Sequence, residues 1–136
     1  MQDSHEIVIP STPSGRQQAE DIIMKKVDEF GFSEEARFSI RLAMEEAVVN
    51  AIKHGNRFDK DKKVTIRYGF NGRTFTLSVR DEGQGFDPGG VPDPTAPENI
   101  TLPYGRGLML MNAYMDRVEF SPAGNEVTLV KTTGED

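Results

Sequence analysis

Glu46 and Asn50 stand four residues apart in MEEAVVNAIKHGN (44–56), with Lys53 and His54 following. At 100° per residue a helix brings Glu46 and Asn50 within about 40° of each other. Ser39, Lys53 and His54 flank them on that side. Asparagine costs a helix interior roughly 0.5 kcal/mol or more relative to alanine. Its side-chain oxygen is a hard ligand suited to Mg²⁺, and a nearby carboxylate can accept a proton from an attacking hydroxyl. A solvated polar strip would carry the same residues, so both readings stand at this point.

A second candidate ends a strand. In VTIRYGFNGRTFTLSVRDEG, the alternation Phe75, Leu77, Val79 carries Asp81 onto the same, core-facing side. An unpaired carboxylate there is costly, so it must lie at the sheet edge or bond to something. Gly83 and Gly85 in DEGQGF would let the backbone approach a ligand closely. Asp81 could then accept a hydrogen bond from the exocyclic amine of adenine. An ordinary Asp-Gly turn after a strand reads the same way.

A third candidate is YGRGLMLMN, where Gly105 and Gly107 come directly before an apolar helix. Backbone N–H groups at a helix start attract phosphate, and Arg106 would add positive charge. A plain loop end before a packed helix is the alternative. Neither glycine pair completes G-x-G-x-x-G, and no G-x-x-x-x-G-K-[ST] occurs, which rejects those two nucleotide folds.

The elements that must position these residues are legible as patterns. HEIVIP reads as a short strand, broken at Pro10 and Pro13, and 15–30 as a helix. Ser33 is a plausible N-cap, with Glu34 and Glu35 in the first turn. That helix is predicted to run to about His54 and stop at Gly55. It presents Ala36, Ile40, Ala43, Ala47, Val48 and Ala51 on one apolar face and Phe38, Leu42 and Val49 on another. Asn71-Gly72 between two alternating runs predicts a hairpin. RVEFSPAGNEVTLVKT predicts a second. Residues 87–104 hold five prolines and no periodicity, a long loop of the functional or disordered kind. Helices on one side and hairpins on the other predict a two-layer α/β (α+β) sandwich on a mixed, largely antiparallel sheet, with 1–136 as one domain.

Composition narrows the function. The 136 residues carry a net charge of −6 without a concentrated basic patch, which disfavours nucleic acid. Cysteine is absent and only two histidines occur, which disfavours disulfides and zinc. No apolar run approaches the roughly 20 residues a membrane span needs. The acidic MQDSHEIVIP does not read as a signal peptide. A soluble, cytoplasmic domain is expected.

Taken in order, E-x-x-x-N on a helix, D-x-G-x-G-F ending a strand, a long loop and G-x-G-L resemble the GHKL ATP-binding superfamily with its Bergerat fold. EEAVVNAIKHGN, DEGQGFDP and GRGLMLMNAYMDRVEF are most similar to its anti-sigma-factor serine/threonine kinases (RsbW type), over about 6–132. The resemblance implies Glu46 as catalytic base and Asn50 as Mg²⁺ ligand. It implies Asp81, with Gly83, Gly85 and Phe86, as the adenine site, and Lys53 and His54 as further ATP contacts. Residues 87–104 would be a lid, and Gly105, Arg106, Gly107 and Leu108 a phosphate-binding hinge. The partners implied are a sigma factor and a STAS-type anti-anti-sigma protein phosphorylated on Ser or Thr, with a homodimer also expected. Asn56 departs from the family at a place where an aromatic residue is frequent. A nucleotide-gated binding module of the same fold, transferring no phosphate, is the alternative. A two-component histidine kinase is disfavoured, because no dimerising helix with an acceptor histidine is present.

Overall fold

The computed structural model describes residues 2–83 and 103–133, and gives only the backbone of residues 2, 3 and 103–108. The chain runs β1 (Gln2–Pro10), α1 (Pro13–Glu29), α2 (Glu34–Asn50), a π-helical turn (Ala51–Gly55), β2 (Lys63–Asn71) and β3 (Thr74–Arg80). It continues through α3 (Pro103–Tyr114), β4 (Arg117–Phe120) and β5 (Glu126–Thr132). The strands form one sheet in the order β1-β2-β3-β5-β4, with the helices packed against it.

Every neighbouring pair of described strands is antiparallel, so the sheet is not mixed as expected. The reason is topological. The crossover through α3 leaves β4 running in the direction of β3, but β5 inserts between them and opposes both.

Local chemistry sets the helix limits. Thr12 caps α1 by accepting the Gly15 N–H at 3.1 Å, and Pro13 supplies a pre-set first residue, so the helix starts two residues earlier than expected. Ser33 caps α2, its Oγ accepting the Ala36 N–H at 3.1 Å. The β2–β3 register pairs Asn71 with Thr74, which makes Gly72-Arg73 the two-residue turn and shifts it one residue from the expected place. Gly72 alone takes a positive φ there, 63°, the requirement of a turn with glycine at its first central position.

The core lies between α2 and the sheet. Ile40, Ala43, Met44, Ala47 and Val48 are buried on the helix, and Val64, Ile66, Phe70, Phe75, Leu77 and Leu129 on the strands. Phe30 stacks on Phe70 at 4.0 Å, and Phe70 lies 5.2 Å from Phe75. The second apolar face of α2 is only partly covered. Phe38 is 57% exposed and meets the edge of Tyr114 on α3 at 5.8 Å. Ser39, expected on the polar strip, is instead buried, its small side chain sharing the strip of Ala36 and Ala43.

Candidate functional site

The last turn of α2 and the π-helical turn present Ala47, Asn50, Ala51 and His54, spaced i, i+3, i+4 and i+7, to one cavity of about 440 Å³. That volume suits a small-molecule ligand. The two alanines leave room between the polar side chains. The Asn56 N–H bonds the Ala51 carbonyl at 2.8 Å, an i to i+5 bond that adds a residue to the turn. Arg57 and Phe58 then take φ of 53° and 60°, and the Phe58 N–H closes back on the Ile52 carbonyl at 2.8 Å. Two consecutive non-glycine residues in the left-handed region cost roughly 1–2 kcal/mol each. Such strain concentrates at functional sites.

The opposite wall is the end of β3. The Asp81 N–H donates to the Asn125 carbonyl at 3.0 Å, and Asn125 Nδ2 donates to the Asp81 carbonyl at 3.4 Å. The β4–β5 turn therefore holds the Asp81 backbone from one side. Asp81 Oδ1 accepts the Gly83 N–H at 2.8 Å, and among the described residues no hydrogen bond reaches Oδ2. Burial pushes the Asp81 carboxyl above its ordinary 3.8, against the lowering influence of the Gly83 N–H and the Lys62 ammonium. Burial, with Lys53 alongside, lowers His54 below 6.5, so its imidazole is neutral near pH 7.

Two glycines make this packing possible. A Cβ on Gly55 would lie 2.3 Å from the Asp81 carboxylate, and one on Gly83 would lie 2.0 Å from the Gly55 carbonyl oxygen. Neither position accepts a side chain without moving the other wall.

The structure thus brings Asn50, His54, Asp81 and Gly83 into one cavity. Glu46 is half-buried one turn before Asn50, and Lys53 is exposed; neither belongs to the described lining. Gly85 and Phe86 lie outside the described residues, as does most of the expected lid, 87–102. Gly105, Arg106, Gly107 and Leu108 lie within the first two turns of α3, not before it. Pro103, favoured as a first helical residue because it lacks an N–H, starts the helix upstream of both glycines. Arg57, Lys62 and Asn125 line the cavity and were missed, because they sit in loops whose sequence signals only turns. Asn56, noted in the sequence only as a departure, is 1% exposed and bonded through its whole amide.

No described helix is long and apolar enough to cross a membrane. No cluster of three or more His, Asp or Glu able to hold a metal occurs among the described residues. Asn50, which lines the cavity, carries a side-chain oxygen of the hard kind that can serve Mg²⁺, an ion that takes few protein ligands beside phosphate oxygens and waters. The cavity, the Asp81 carboxylate in its wall and the close glycine backbones fit an adenine nucleotide.

Residues 9–131 match the family described as Histidine kinase-like ATPase domain. The chain is 26% identical over 122 residues to a serine-protein kinase RsbW of Oceanobacillus iheyensis, covering 85% of this chain and 77% of that protein. It is 34% identical over 96 residues to an anti-sigma F factor of Anoxybacillus flavithermus, covering 68% of this chain and 64% of that one. A serine-protein kinase RsbW of Bacillus licheniformis is 30% identical over 111 residues, covering 74% and 68%. Among solved structures, the RsbU and RsbW domains of a Mycobacterium tuberculosis protein superpose with a TM-score of 0.65 at 17% identity, over 96% of this chain but 32% of that one. That likeness is one of fold.

Proposed function

Because the chain belongs to the histidine kinase-like ATPase family, we propose that it is an ATP-dependent protein serine/threonine kinase acting as an anti-sigma factor. Its partners would be a sigma factor, which it holds, and a STAS-type anti-anti-sigma protein, which it phosphorylates. The names of the RsbW and anti-sigma F relatives support this reading. The observation that carries it is the single cavity shared by Asn50 and His54 on one wall and Asp81 on the other.

Bound ATP would supply the phosphoryl group. Asp81 Oδ2 would accept the adenine amine, and the cradle of Gly55 and Gly83 would admit the base edge. Asn50 Oδ1 would hold Mg²⁺, neutralising phosphate charge. The α3 start, with Gly105, Arg106 and Gly107, would lie against the phosphates. Glu46 would take the proton from the acceptor serine or threonine hydroxyl as that oxygen attacks the γ-phosphorus, the bond to the β–γ bridging oxygen breaks and ADP leaves. Its partial exposure suits a base that meets a protein substrate arriving from outside.

One observation favours a second reading. Glu46 is outside the described cavity lining, as it would be in a nucleotide-gated binding module that transfers no phosphate. γ-Labelled Mg-ATP separates the two. With a lysate of the source organism, wild type should label one small protein on serine or threonine, and Glu46→Gln should bind ATP but label nothing. Binding without label in wild type would establish the module; equal labelling by Glu46→Gln would remove Glu46 from the base role.

A further inference from the structure

We infer that Asn56 is a positioning residue for base recognition: its amide locks the Asp81 turn against the helix end that carries Gly55, and so sets selectivity for a base with an exocyclic amine. This rests on the adenine-site reading of Asp81.

Asn56 is buried, and both ends of its amide are used. Nδ2 donates to Ser11 Oγ at 2.8 Å and to the Lys63 carbonyl at 3.0 Å, while Oδ1 accepts the Glu82 N–H at 2.8 Å. An amide has two N–H donors on one side and an acceptor on the other. Its orientation is fixed here, because reversal would set N–H groups against the Glu82 N–H and an oxygen against the Lys63 carbonyl. Ser11 confirms the polarity. Its hydroxyl hydrogen goes to the Lys62 carbonyl at 2.7 Å, so its oxygen can only accept from Asn56.

One side chain therefore ties four segments together: the β1–α1 junction at Ser11, the helix end, the start of β2, and the turn after β3. The last tie matters for the site. Glu82 directly follows Asp81, and Asn56 directly follows Gly55. The gap those neighbours share is the one in which a Cβ on Gly55 would meet the Asp81 carboxylate at 2.3 Å. Asn125 holds the Asp81 backbone from the sheet side, and Asn56 holds it from the helix side. Without Asn56, the carboxylate would keep its charge but lose its fixed place against the helix end.

The test compares two ligands, ATP and purine riboside triphosphate, which lacks the 6-amino group, by direct calorimetric titration. Wild type should prefer ATP by about tenfold or more, the scale of a hydrogen bond to a charged group. Asn56→Leu should bring the two affinities within about twofold, mostly by weakening ATP. A merely structural role would lower both affinities together and leave the ratio unchanged, which would overturn the inference. Should wild type bind both ligands equally, the adenine role of Asp81 fails and the inference that rests on it is overturned with it. Should Asn56→Leu not fold, amide hydrogen exchange on wild type decides. The Glu82 amide, on an otherwise exposed residue, should be protected like those of β2 and β3. Exchange as fast as that of an unbonded, solvent-exposed amide would overturn the clamp.

Discussion

Asp81 lines the cavity, where a half-buried carboxylate is costly to the fold. Burial raises its pKa above the ordinary 3.8. Between that value and the raised one, the native state holds the proton more tightly than the unfolded chain. Stability from this group is therefore fully present below pH 3.8 and declines as pH rises through the folded pKa. Asp81→Asn keeps an oxygen for the Gly83 N–H and removes the buried charge. The ligand-free variant should melt at or above the wild-type temperature at pH 7, with a flatter stability profile from about pH 4 upward. Thermal unfolding across pH checks this, and a variant markedly less stable at pH 7 would show that the carboxylate's partners outweigh its desolvation. The position of Asp81 was legible, because alternation through Phe75, Leu77 and Val79 carries over one more residue. Its neighbours were not. Asn125 comes from a hairpin 44 residues away, and only the β3–β5 register brings it there.

At the scale of elements, caps and alternation were readable because they are local. Ser33 is a direct instance: its Oγ bond to the Ala36 N–H removes one orphan donor at the start of α2, the helix that presents Asn50. Ser33→Ala should cost about 1 kcal/mol. Urea unfolding should show a lower midpoint with an unchanged slope, and no midpoint change would mean another group replaces the cap. The end of α2 was less legible, since regular spacing of 100° per residue assumes i to i+4 bonds throughout. The i to i+5 turn at Ala51–Gly55 breaks that count; within it Lys53 is exposed and His54 lines the cavity. The start of α3 was misplaced for a different reason. Two glycines suggest a loop, but Pro103 begins the helix before them. The sheet was expected to be partly parallel, and no local signal records that β5 inserts between β3 and β4.

The whole molecule joins two layers through one cavity. Asn50 and His54 come from the helix layer, and Asp81 and Asn125 from the sheet. Anything that binds across that seam and not to the unfolded chain must raise global stability, by about 2.7 kcal/mol at 100 times its dissociation constant. The most direct test is thermal unfolding of wild type and Asp81→Asn with and without saturating Mg-ATP. Wild type should melt several degrees higher with the nucleotide, and Asp81→Asn should gain much less at the same concentration. No shift in wild type, or an equal shift in both, would contradict an adenine nucleotide site built on Asp81.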